Sequence, residues 1–341
     1  MKSQANMWAG RPVELAASLI RSWMAMTVRG SIRGLGSTIL AALVATLAVS
    51  AQQPPPAMEQ PTFRAGVDLV TVRALVRDPR GRPVTNLTAA EFELLDAGRP
   101  TAITAVEQDR GPVGLAVLFD VSGSMDLSQR FVRARDAGYF LLSGLKNGED
   151  EAAIFAFDSR LQMVQPFTTE LDRLRGSMSG FSPWGMTSLH DAIASASRTM
   201  DTRATRRRAL VVLTDGIDTG SRLGAPEVSR IASGIDLPVY IIAVVSSIDD
   251  PRATGDQPEV MQGELADLAR WTGGQMFIAT TTAEASLVAR KVVGELRQQY
   301  LIAFEPGKAP GWHPVEVRVR RKGHTVRARS GYFADRSEPV S

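Results

Sequence analysis

Three short stretches of this chain set hydroxyls and carboxylates at the ends of apolar runs. Asp120-Val-Ser122-Gly-Ser124 follows the apolar run 113–119. Thr187 lies in Gly185-Met-Thr187-Ser-Leu-His-Asp191, where a helical pattern begins. Asp215 follows the run 208–214 and opens Asp215-Gly216-Ile-Asp218. An apolar run of that length bounded by turn residues predicts a buried strand. The C-terminal ends of strands are where open α/β sheets place their ligands. Donors that are all hard oxygens suit Mg²⁺, which is held through a few protein oxygens, waters and a partner's oxygen. Mn²⁺ is the alternative ion, and the small hydroxyl-rich set disfavours Ca²⁺. Ser122, Ser124 and Thr187 are also good helix caps, so a turn that merely caps a helix is the competing reading.

The elements around these stretches alternate between strand and helix from residue 113 onward. Runs at 113–119, 152–157, 208–214, 239–245 and 276–278 read as strands, with 161–164 as a hairpin partner of 152–157. Helical patterns fall at 127–143, 188–200, 225–234, 260–271 and 283–297; the first carries Phe131, Ala134, Ala137 and Leu141 at helical spacing. Such alternation predicts an α/β fold, a doubly wound and mostly parallel sheet covered on both faces. Residues 63–107 and 300–334 read instead as strands with half-exposed alternation, and neither has enough strands for a stable sheet alone. The economical expectation is one flanking β-rich domain, a sandwich built from both segments. The alternative adds the C-terminal hairpin to the edge of the α/β sheet.

The set Asp-x-Ser-x-Ser, then Thr, then Asp resembles the von Willebrand factor type A domain and its metal-ion-dependent adhesion site. All five positions match, at Asp120, Ser122, Ser124, Thr187 and Asp215. The resemblance covers roughly 112–300 and implies a Rossmann-like sheet. It implies that Ser122, Ser124 and Thr187 ligate Mg²⁺ directly, that Asp120 and Asp215 act through bound waters, and that the sixth position awaits an acidic residue of a partner. The flanks are similar to secreted bacterial proteins with related domains, through Asp78-Pro-Arg-Gly81, Glu91-Phe92-Glu-Leu-Leu-Asp96, Tyr300-Leu-Ile-Ala-Phe304 and Ser330-Gly331-Tyr332. Two carboxylates against one divalent ion make a near-neutral loaded site the expectation.

Other chemistries find little support. There are no cysteines, which excludes disulfides, thiolate metal sites and cysteine nucleophiles. His190, His313 and His324 lack metal-pair spacing, and no Gly-x-Ser-x-Gly elbow or phosphate-binding glycine loop occurs. Ser143-Gly-Leu-Lys146 fits a Ser-x-x-Lys pattern without its partner motifs. A haloacid-dehalogenase-like phosphatase needs a second carboxylate two residues after its first; here that position is Ser122. Asp158 and Asp218 read as solvated turn residues, and Asp191 as a residue that caps or orients the Thr187 loop. Arg206-Arg-Arg208 reads as a solvated turn, and the arginines at 318–329 as the exposed face of a sheet.

The net charge of +3 belongs to the first 51 residues, which hold five basic side chains and one acid. The remaining 34 basic and 35 acidic residues give −1, which argues against a nucleic-acid partner. Arg29 and Arg33, the apolar core 37–48 and Val49-Ser-Ala51 form a signal-peptide pattern, too short to span a bilayer. Met24 or Met26 would give it a conventional length. The expected organisation is a signal peptide at 1–51, a Pro-rich linker at 52–62, a β segment at 63–110, the α/β domain at 111–299, a β segment at 300–334 and a disordered tail at 335–341. The expected protein is exported to the periplasm or beyond the cell, without stable membrane insertion. It binds a protein partner through an exposed Asp or Glu and is not an enzyme. The alternatives are a Mg²⁺-dependent phosphatase-like hydrolase and a structural envelope protein with a vestigial metal site. Mass spectrometry of the exported protein should find its N-terminus close to Gln52; an intact leader would overturn the export reading or convert the segment to an anchor.

Overall fold

Strand β5 (Val113–Asp120) is buried along its whole length. It carries no polar side chain before Asp120, so both faces accept cover and the strand takes the centre of a sheet. In the computed structural model, which describes residues 69–334 apart from 204, 206 and 247–258, β5 pairs in parallel with β6 (Glu151–Phe157) and β8 (Arg207–Thr214). Strands β9 (Val239–Val244) and β10 (Met276–Ala279) continue the parallel run. Strand β7 (Leu161–Thr168) closes the other edge antiparallel to β6, as the hairpin reading expected. The order β10-β9-β8-β5-β6-β7 is the doubly wound sheet that the alternation predicts. The signal-peptide pattern, the Pro-rich linker, residues 63–68, the tail and Arg206 lie outside the described residues. No helix among the described residues is long and apolar enough to cross a membrane.

Helices cover both faces of the sheet. Val113, Leu115, Val117 and Phe119 pack with Ala134, Ala137 and Leu141 of α1 (Arg130–Ser143) and with Ala289 and Val292 of α6 (Thr282–Leu296). On the other face Ala116 and Leu118 meet Ile193 and Met200 of α3 (Leu189–Asp201), Val228 of α4 (Ala225–Gly234) and Leu268 of α5 (Glu259–Trp271). A short helix, α2 (Leu171–Ser177), was not legible in the apolar pattern. Helix α1 starts at Arg130, three residues later than the periodicity suggests, because Ser128 (φ 52°) and Gln129 (φ 59°) are left-handed. Gly138 lets α1 approach β5: a Cβ there would stand 2.4 Å from the Phe119 ring.

Two antiparallel four-stranded sheets stand beside this unit. In one, β1 (Val70–Arg77) lies between β11 (Tyr300–Phe304) and β13 (Thr325–Ala328), with β4 (Ile103–Gln108) beyond β11. In the other, β2 (Phe92–Asp96) lies between β12 (Gly311–Val319) and β3 (Arg99–Thr101), with β14 (Gly331–Ala334) beyond β12. Each sheet mixes strands from both ends of the chain. Val72, Leu94, Tyr300, Ile302, Phe304 and Val317 share one core between them.

The arginines of this region depart from the sequence reading. Arg318 is exposed, but Arg327 and Arg329 point into the α/β unit. Arg327 pairs with buried Glu295, which also takes Arg77, and donates to the Tyr240 hydroxyl. Arg329 donates to the carbonyls of Ser233 and Thr71. Arg207 is buried and pairs with Asp109 at 3.3 Å, while Arg208 donates to the carbonyls of Met200 and Ile235. These side chains join elements and are not a solvated turn. Strand periodicity cannot reveal this, because the partner acids lie far away in sequence.

His313 anchors the second sheet. Its Nδ1 lies 2.9 Å from Asp96 Oδ1 and its Nε2 lies 2.6 Å from the Ala309 carbonyl, which can only accept. The Tyr332 hydroxyl and the Gly307 N–H donate to the other Asp96 oxygen. Both ring nitrogens therefore donate, and the ring is charged. Burial pushes the ring toward neutrality, but the Ala309 carbonyl and the Asp96 carboxylate outweigh it and raise its pKa above 6.5. A raised folded pKa gives stability that is full below the unfolded value and is lost as pH climbs through the folded one. The gap in urea midpoint between wild type and His313→Gln should therefore shrink between pH 6 and pH 9. A gap that does not change with pH would remove His313 from this role.

Candidate metal centre

The centre is built from three loops at the C-terminal ends of β5 and β8 and ahead of α3. Asp120 closes β5 and is fully buried. Its Oδ1 accepts the Ser122 N–H at 2.9 Å, and its Oδ2 accepts the Thr214 hydroxyl at 2.6 Å. The first bond makes an Asx turn that sends the chain off the strand. The second ties the ends of β5 and β8. Burial pushes the Asp120 carboxyl up to about 6, against the hydrogen bonds from Ser122 and Thr214.

The next residues lock onto the Thr187 loop. Gly123 N–H donates to the Gly185 carbonyl at 3.1 Å, and Trp184 N–H to the Val121 carbonyl at 2.7 Å. The Thr187 carbonyl accepts from Thr219 and Gly220, and its N–H donates to the Thr219 hydroxyl. The third side of the triangle is Arg130, whose Nη1 donates to Asp215 Oδ2 at 2.9 Å and to the Ser124 carbonyl at 3.2 Å. Asp215 Oδ1 accepts the Ile217 N–H at 3.1 Å, and Gly216, at φ 86°, makes that turn. All five residues singled out from sequence thus sit on loops that are hydrogen-bonded to one another.

The spacing of two of these hydroxyls is compatible with a small hard cation. Ser122 Oγ and Ser124 Oγ are 3.2 Å apart. Two ligands at right angles on an ion with roughly 2.1 Å bonds would stand about 3 Å apart. The residues that would hold Mg²⁺ are Ser122, Ser124 and Thr187, with Asp120 and Asp215 beside them. Arg130 sets a guanidinium against Asp215, a charge that the near-neutral expectation did not include. No sequence signal pointed to Arg130, because the expected helix swallowed the turn before it. Thr214 was visible as the last residue before Asp215, but its bond to Asp120 depends on strand register.

The neighbouring acids are structural. Asp218 is not solvated: it accepts the backbone N–H and Nδ1 of His190 and the N–H groups of Gly220 and Ser221. Burial pushes it up, but the bonds from His190 and Ser221 prevail and hold it well below the usual carboxylate range. Asp191 accepts the N–H groups of Arg222 and Leu223 and so fixes the loop entering α4. Asp158 holds a turn through the Arg160 N–H.

Residues 115–217 match the von Willebrand factor type A domain family, and with the sheet order this shows that the chain carries a von Willebrand factor type A domain. No curated protein matches the chain. Among solved structures it is similar to a von Willebrand factor type A protein from Catenulispora acidiphila, at 15% identity over 80% of this chain and 76% of that one, with a TM-score of 0.47. It is also similar to the conserved hypothetical protein BatB from Bacteroides thetaiotaomicron, at 20% identity over 54% and 98%, with a TM-score of 0.45. A third is the PilB minor pilin from Streptococcus sanguinis, at 14% identity over 56% and 63%, with a TM-score of 0.44.

The weight placed on Thr214 can be measured. Thr214→Val keeps the shape but leaves the buried Asp120 oxygen and the Gly216 N–H without the hydroxyl. The expected loss is about 2 kcal/mol by chemical denaturation. A change under about 0.5 kcal/mol would mean that the strand ends are held by other contacts.

Proposed function

We propose that this chain is an exported, metal-dependent protein-binding module, and that a Mg²⁺-loaded centre at Ser122, Ser124 and Thr187, flanked by Asp120 and Asp215, recognises an exposed Asp or Glu of a protein partner; Mn²⁺ can replace Mg²⁺. One observation carries the choice of a protein partner. Leu127, Trp184, Met186 and Ile217 are 59%, 82%, 57% and 40% exposed, and each belongs to a loop that carries a donor of the centre. Large apolar side chains gathered in the open around a polar centre mark an interaction surface, and tryptophan is enriched among residues that dominate binding energy. A small phosphate ester has no use for such a collar. Ser122 stands where a phosphatase of the alternative kind needs its proton-transferring carboxylate, which supports a binding module over an enzyme. The leader pattern supports export, and the absence of cysteine is compatible with it.

The test joins stability to capture. A ligand at about 100 times its Kd adds roughly 2.7 kcal/mol, and each kcal/mol moves Tm by about 2–4 °C in a protein of this size. Saturating Mg²⁺ should raise Tm by about 5 °C or more over the chelated protein, and Asp120→Ala should abolish the rise. Capture of a partner from an exported-protein extract should be lost with chelator. Trp184→Ala with Met186→Ala should weaken it by about 2 kcal/mol or more without changing the Mg²⁺ shift. A Tm indifferent to Mg²⁺ and Mn²⁺ would reduce the loops to helix caps. Capture that survives chelation and the double variant would move the interface elsewhere, and robust turnover of phosphate esters would replace the binding reading.

A further inference from the structure

A cavity of about 490 Å³ opens where α4, the end of α5 and β12 meet. Trp271, Trp312, Pro226 and Pro314 line it, and none of them belongs to the metal centre. Both tryptophans are half-buried. The Trp312 ring is held by the Phe333 ring, edge to face with centroids 5.2 Å apart. The Trp271 backbone is held by Ser330, whose N–H donates to its carbonyl at 2.8 Å. The aromatic wall is thus fixed by the protein's own contacts.

The polar atoms around the cavity fall into two groups. The acceptors are engaged internally. The Trp271 carbonyl also takes the hydroxyls of Ser233 and Ser330, at 3.1 Å each. The Ser233 carbonyl takes Arg329, and the Pro314 carbonyl takes the Ala97 N–H at 2.8 Å. Among the described residues the lining holds no carboxylate, amide or imidazole. The donors are left over. No acceptor among the described residues takes the indole N–H of Trp271 or Trp312. Arg230 lies at the same cavity, exposed and without an ion pair among the described residues. Glu227, one turn earlier on α4, is bonded to the Gly224 N–H, and Asp267 on α5 is paired with Arg270.

A lining with donors to spare fits a ligand that offers acceptors alone. Proline has a carbonyl but no N–H. In a polyproline II helix the carbonyls make no internal bonds. Its rings dock on aromatic walls, and its preformed shape keeps the ordering cost low. A sugar would also need acceptors for its hydroxyl protons, and the carbonyls here are already engaged. We propose that this cavity binds a proline-rich segment of a partner protein, with proline rings against Trp271 and Trp312, carbonyls accepting the indole N–H groups, and an acidic residue against Arg230. The site stands apart from the metal centre and does not depend on an ion.

The experiment titrates the full chain, in the presence of chelator, with a synthetic peptide of five prolines followed by a glutamate. It follows the indole N–H resonances, each assigned from a Trp→Phe variant. The Trp271 and Trp312 resonances should move to saturation while that of Trp184 stays. Trp312→Phe, which keeps a ring against Phe333, should weaken binding about fivefold through the lost N–H. Arg230→Gln should weaken it about threefold, and should change nothing for a peptide ending in glutamine. Trp271 and Trp312 resonances that do not move overturn the proposal. So does equal binding by a peptide with serine in place of proline, or movement of the same resonances by maltotetraose alone. Resonances that move only once Pro54→Ser, Pro55→Ser and Pro56→Ser are introduced would give the cavity to this chain's own proline-rich segment and overturn the partner.

Discussion

A carboxylate at the end of a fully buried strand must be hydrogen-bonded at both oxygens, because an ionised group removed from water costs several kcal/mol when left unpaired. Asp120 meets that demand with the Ser122 N–H on one oxygen and the Thr214 hydroxyl on the other. The two bonds have different consequences. The first dictates the turn that follows β5 and so sets Ser122, Gly123 and Ser124 in place. The second holds the ends of β5 and β8 level, which brings Asp215 alongside. From there Gly123 reaches Gly185 and Thr187 reaches Thr219 and Gly220, so the remaining loops close by backbone hydrogen bonds.

The scaffold beneath the centre is apolar and stiff. Strand β5 contributes alternate residues to two separate cores, one under α1 and α6 and one under α3, α4 and α5. The sandwich joins this unit differently, through arginines on β1, β8 and β13 that meet Glu295, Asp109, Asp236 and backbone carbonyls. Buried ion pairs of this kind add little net stability relative to apolar packing. Losing one partner is costly, so they fix how the elements meet more than how tightly.

Charge and apolar surface divide the work at the open end of the sheet. Ser122 and Thr187 are nearly closed off, at 1% and 2% exposed, Ser124 is half-buried, and Trp184 and its apolar neighbours stand in solvent. A partner that reached the donors would have to cover that collar, which would exclude water and strengthen any charge interaction within it. Arg130 is buried beside them, so its pairing with Asp215 is not screened as a surface pair's would be.

The order of the elements was legible in the sequence, and so was the set Asp120, Ser122, Ser124, Thr187 and Asp215, which the fold brings to linked loops at one end of the sheet. A central strand must be apolar for its whole length, and a carboxylate at the end of such a strand is conspicuous. Local backbone geometry was less legible: α1 begins at Arg130 and not at residue 127, because two non-glycine residues turn left-handed where apolar spacing continues. Long-range charge pairing was not legible at all. Arg327 and Arg329 look like the exposed positions of an alternating strand, yet they point into the α/β unit. Asp218 looks like a solvated turn residue, yet it anchors His190. Arg130 and Asp215 are 85 residues apart in the chain. Periodicity reports which face of an element is apolar, but only the packing of elements decides which charge stands opposite which, because a guanidinium and a carboxylate meet through space and carry no mark of each other in sequence.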